Sequence, residues 1–176
     1  MPRLSAFALS CCVLTLLLSL SACSLLGDDA DDDPAPPFQT DRTAYEARLS
    51  GAEVVRVTFT IATTYTNVLS DTVYLLGCHR PSPPVLQKDT GDAWTRAYSA
   101  SEDLCLSPPW RIAPGTTYRD TLYVRGYRSG GDPLFRTEVD GTYRLVRSVY
   151  ADPDGATLLP ADQRTSNTFE VVAAAE

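Results

Sequence analysis

Val55-Arg-Val-Thr-Phe-Thr-Ile61 decides the fold class of this chain. Val55, Val57, Phe59 and Ile61 alternate with Arg56, Thr58 and Thr60, the period-two pattern of a strand with one buried and one solvated face. Reading outward, Asp71-Thr-Val-Tyr-Leu-Leu76 predicts a second strand after the turn-prone Asn67 to Ser70. Val85-Leu-Gln-Lys88 and Ala93-Trp-Thr-Arg-Ala-Tyr98 flank Asp89-Thr-Gly-Asp92, a hairpin signal. Thr117 to Val124 follows the turn dipeptide Pro114-Gly115, and Gly141 to Tyr150 and Asn167 to Val172 complete the set. No segment carries a helical period longer than two turns.

About seven short strands with turn residues between them predict an all-β fold, a single immunoglobulin-like antiparallel β-sandwich over residues 41–176. Gly141-Thr-Tyr143 has the approach of a tyrosine corner, in which a phenol bonds back to the backbone ahead of a strand. In that strand Arg147 shares a face with Tyr143, Leu145 and Val149. A bulge or a snorkelling arginine would each reconcile this with a buried face.

The amino terminus reads differently. Arg3 supplies one positive charge, and an apolar run from Ala6 to Leu20 follows, interrupted by Ser10, Thr15 and Ser19. A membrane-spanning helix needs roughly 20 predominantly apolar residues. The shorter, hydroxyl-rich run with small residues at its end describes a signal peptide at 1–22. Residues 23–40 form a linker containing Asp28, Asp29, Asp31, Asp32 and Asp33 before a proline-rich end. Its like charges and prolines favour extension. The run lacks the spacing and closing Glu of an EF-hand loop.

The formal net charge is -7, with 22 acidic and 15 basic residues. That balance argues against a nucleic-acid surface, which needs clustered Lys or Arg. Of the five cysteines, Cys11 and Cys12 leave with the signal peptide. Cys78 and Cys105 form an even pair in an exported chain and are expected to be joined as a disulfide. A metal site made from them and His79, the chain's only histidine, lacks ligand spacing.

No catalytic set emerges. Cys78 and His79 are adjacent, so in a strand they would point to opposite faces. There is neither a nucleophile elbow nor a Ser-x-x-Lys pair. Asp152-Pro-Asp-Gly155 reads as a turn, and Gly130-Gly-Asp132 as a loop tip. The reading is a chain that is not an enzyme and takes no cofactor or metal. Trp110, Arg111 and His79 are the candidates for a binding surface, Trp110 because an exposed ring next to Pro108-Pro109 would make a contact.

Two resemblances add to this. Leu20-Ser21-Ala22-Cys23 resembles the lipobox of bacterial lipoproteins, which implies cleavage before Cys23 and acyl chains such as palmitate on that residue. Multiple chains give stable anchoring where one is marginal. Ser24 at the next position implies the outer rather than the inner membrane of the cell envelope. The strand order resembles the bacterial Ig-like domains of many secreted lipoproteins: Thr58 to Asn67, the hairpin Leu86 to Trp94, Pro114-Gly115 to Tyr118, Gly141 to Leu145, and Ser166 to Val171. It implies a fold and an envelope setting, with an envelope protein or glycan as partner, and it brings no catalytic residues. Similar small sandwiches include protease inhibitors, which makes the proline-rich loop 78–84 the alternative functional element.

Overall fold

Two strands precede the stretch that set the fold class. In the computed structural model, which describes residues 35–101 and 107–174, they are β1 (Phe38–Thr40) and β2 (Ala44–Ser50). The signal peptide 1–22, Cys23, the aspartate run and Cys105 lie outside the described residues. The folded unit begins at Pro36, so the domain starts before residue 41. The physical reason is Phe38, which pairs with Tyr65 and has no exposed surface. Burying a ring of that size contributes roughly 1.5–3 kcal/mol.

The strands that follow are β3 (Arg56–Thr66), β4 (Val73–Leu75), β5 (Val85–Asp89), β6 (Trp94–Tyr98), β7 (Trp110–Ile112), β8 (Thr117–Tyr127), β9 (Gly141–Val146) and β10 (Phe169–Ala173). The expectation of about seven strands omitted β1, β2 and β7. β1 and β7 are three residues each, too short for a periodic signal. β2 alternates Tyr45, Ala47 and Leu49 inward, yet its Ala, Glu and Arg are not strand-favouring residues.

The strands form two face-to-face layers. In one, β3 lies between β8 and β1, with the second half of β2 also on β3. In the other the order is β10, β9, β5, β6. β2 belongs to both: Ala44 to Ala47 run parallel to β10, and Arg48 to Ser50 pair antiparallel with β3. The chain crosses between layers from β3 to β5, from β6 to β8 and from β8 to β9, as in an immunoglobulin-like sandwich. β4 and β7 make a separate ribbon, which Tyr150 extends by bridging Tyr74.

Both inner faces fill the core. Val57, Ile61, Leu122 and Val124 come from one layer and Leu86, Tyr143, Leu145 and Val171 from the other. Phe135 links them, its ring 6.4 Å from Phe59 and 6.5 Å from Tyr143. The tyrosine corner is present. The Tyr143 phenol donates to the Val139 carbonyl at 2.7 Å, with the Glu138 carbonyl 2.9 Å away. Arg147 neither bulges out of line nor reaches solvent. Its side chain is 1% exposed and paired with Asp120 at 2.8 Å. Its guanidinium lies 5.4 Å from the Phe38 ring centroid and 5.5 Å from that of Tyr118.

Candidate functional site

The loop from Cys78 to Pro84 joins β4 to β5, and its shape follows from local chemistry. Gly77 opens it: a Cβ there would fall 2.1 Å from the Arg80 carbonyl oxygen, so only glycine lets the chain turn back. The Ser82 N–H then donates to the Leu76 carbonyl at 2.7 Å, and Arg147 reaches the Ser82 carbonyl at 3.5 Å. Pro81 and Pro84 are buried, whereas His79 and Arg80 are exposed between these fixed points. Together with Ser101 the loop lines a cleft of about 190 Å³. Cys105, the expected disulfide partner of Cys78, lies outside the described residues.

Trp110 and Arg111 lie on β7, opposite Leu75 and Tyr74 of β4. Trp110 is 45% exposed, and Arg111 is exposed as well. The structure keeps them together on one ribbon. It does not bring them into the cleft where His79 sits, so the three candidates divide between two places.

Ionisable groups elsewhere are placed by structural needs. Burial pushes Tyr45, Tyr65 and Tyr143 up to about 12. Asp152 is held down at about 2, first by the Asp154 side chain and then by Thr157. Its two oxygens accept the backbone N–H groups of Ala156 at 2.7 Å and Thr157 at 2.8 Å. Asp152-Pro-Asp-Gly155 is thus a turn whose carboxylate is committed to the backbone. Among the described residues no group of three or more His, Cys, Asp or Glu gathers in a metal-binding arrangement.

No protein-family model matches the chain, and no curated protein matches its sequence.

Sequence reasoning missed two clusters that shape these places. Asn67, fully buried, donates to the Asp71 and Ile112 carbonyls at 2.8 and 2.9 Å and accepts from Leu69 N–H at 3.0 Å. It fixes the β7 ribbon to the end of β3. The Arg147–Asp120 pair supports the 78–84 loop from beneath. An arginine in phase with three apolar residues was the available signal for it.

Proposed function

We propose that this chain is a lipid-tethered binding module of the bacterial cell envelope, anchored through Cys23 and exposing a non-catalytic Ig-like domain. The observation that carries the reading is the start of the folded unit at Pro36, with the acidic stretch wholly ahead of it. Residues 24–35 are then a tether that would reach up to roughly 40 Å if fully extended. That suits display beyond a lipid surface. The Cys78–Cys105 bridge belongs to the same reading, as does outer-membrane placement from Ser24.

The test is incorporation of labelled palmitate into the full chain in a bacterial host, followed by membrane fractionation. Wild-type chain takes up label and sediments with membranes; Cys23→Ser does neither. Membrane retention of Cys23→Ser would overturn the anchor.

Protease inhibition is the second reading, favoured by one observation: His79 and Arg80 project from a loop pinned at Pro81, Ser82 and Pro84. A stiff loop loses little entropy on docking. Titration against a panel of serine and cysteine proteases tests it, and absence of inhibition at micromolar concentration rules it out.

A further inference from the structure

The outer surface of the β8–β3 layer has a charge that the net value of -7 conceals. Strand alternation turns Val57, Phe59 and Ile61 inward with Leu122 and Val124, and the positions between them outward. Every outward position of β3 and β8 is uncharged or arginine. The one acidic residue in either strand, Asp120, turns inward onto Arg147. Arg56, Arg119 and Arg125 are exposed on this surface, and Arg48 of β2 joins them, with the exposed Glu46 two residues before it on the same side of that strand.

Register sets their spacing. Arg48 and Arg125 both lie opposite Thr58, so they flank β3 in one row. With strands about 4.8 Å apart, their backbones are roughly 10 Å apart. Arg56, two residues from Thr58, completes a cluster of three. Arg119 stands six residues along β8 from Arg125, roughly 20 Å away. The ion pairs among the described residues use Arg42, Arg128 and Arg147, none of these four. Tyrosines hold two of them instead. Arg56 donates to the Tyr127 hydroxyl at 2.9 Å and lies 5.1 Å from its ring centroid; Arg125 lies 5.9 Å from that of Tyr123.

We infer that this face binds a linear carboxylated polysaccharide. The inference rests on the reading of the domain as a binding module and does not depend on the lipid anchor. Guanidinium forks without acidic partners match carboxylates in bidentate geometry. Tyr123, 51% exposed, offers a ring face, and the threonines alternating along β3 and β8 offer hydroxyls to sugar hydroxyls. A flat face two long strands in length suits an extended chain.

A bilayer fits less well, because Ala62 is the only aliphatic residue at an outward position of either strand and surface insertion needs an apolar face. Duplex DNA carries one charge per roughly 1.7 Å, far denser than four arginines spread over about 20 Å.

The experiment uses residues 24–176, which contain the whole folded unit, titrated with polygalacturonate by calorimetry. Neutral dextran, phosphatidylglycerol–phosphatidylcholine vesicles and duplex DNA are run in parallel. Saturable binding to polygalacturonate alone is expected, weakened about tenfold or more by the double variant Arg119→Glu/Arg125→Glu. Arg96→Glu, exposed on β6 of the opposite layer, should change it by less than about twofold. Circular dichroism checks folding, and Arg48→Glu on a different strand provides an independent loss if the double variant does not fold. No binding, an equal loss in Arg96→Glu, or tighter binding to vesicles or DNA would overturn the assignment. Because palmitate labelling is read separately, failure here leaves the anchor reading standing, and the reverse holds.

Discussion

Replacing Asp120 by Asn should destabilise the domain far more than replacing the arginine it serves. Arg147 is 1% exposed and Asp120 19%, so the two partners respond unequally to losing each other. In Asp120→Asn the guanidinium stays buried between Phe38 and Tyr118 without a counter-charge. Breaking a buried pair in this way costs about 3–5 kcal/mol. We take the lower end, about 3 kcal/mol, because Asp120 sits nearer solvent. The Asn oxygen can still accept the Thr121 N–H that Asp120 Oδ1 accepts at 2.8 Å, but its amide NH2 then faces the guanidinium that donates to Oδ2, so that hydrogen bond is lost together with the charge. Arg147→Met keeps most of the volume, and the Asp120 left behind can hydrate, so about 1 kcal/mol is expected. The double variant should resemble Arg147→Met, giving a coupling of about 2–3 kcal/mol. Urea denaturation reads these values, and thermal midpoints should follow at roughly 3 °C per kcal/mol for a domain of this size. A double variant as unstable as the sum of the singles would refute the charge argument. It would show that shape at this position, not pairing, is what matters.

Tyr143→Phe should cost about 1–2 kcal/mol in urea denaturation, because the buried Val139 carbonyl loses its 2.7 Å donor. Asn67→Ala should cost about 2–3 kcal/mol, since two carbonyls and one N–H lose their partner together. Burial raises Tyr45, Tyr65 and Tyr143 from 10.0 to about 12. The folded state therefore binds more protons than the unfolded one in that interval. Stability is fully present below pH 10 and falls as pH rises towards 12, with tyrosinate absorbance appearing together with loss of structure. Asp152 has the opposite sign. Its folded value of about 2 lies below the ordinary 3.8, so its contribution is present above pH 3.8 and lost as pH falls through 2. Asp152→Asn should flatten that acid limb of the urea midpoint. Thiol labelling of the non-reduced chain should leave Cys78 and Cys105 unmodified, and modification of either would count against their pairing.

The long strands were legible because each buries one face and wets the other along enough residues to establish a period. Val57, Phe59 and Ile61 mark the inward face of β3 by spacing alone, and Asp89-Thr-Gly-Asp92 announces its hairpin. Tyr143 was readable for a different reason: a glycine two residues before a tyrosine at a strand start has few other uses. β1 fails every such test. Its only signal is a single phenylalanine behind prolines, and only the partner strand, some 25 residues later, explains why Phe38 is buried. Arg147 was ambiguous because sequence pattern reports the face a residue points to, never what waits there. Asp120 waits there, on β8 of the facing layer, which no local pattern connects to Arg147.

The candidate site shows the same limit more sharply. Loop 78–84 could be picked out because its prolines and cysteine are neighbours in the chain. The arginine face could not, since Arg48, Arg56, Arg119 and Arg125 are scattered over three strands and become a surface only through register. Arg48 opposite Thr58, and Thr58 opposite Arg125, are pairings that no local window contains. Total composition pointed away from a nucleic-acid surface and gave no hint of a basic face, because 22 acidic residues outnumber 15 basic ones. Net charge governs the long-range field, but at contact distance screening leaves only what lies within about a Debye length, roughly 8–10 Å. Within that radius of Arg125 the register places Arg48 and Arg56, and neither β3 nor β8 turns an acidic side chain outward; the exposed Glu46 lies two residues from Arg48 on β2. The acidic surplus of the chain therefore weakens distant attraction without cancelling a site of this kind. Binding should depend steeply on these few arginines and only weakly on charges elsewhere.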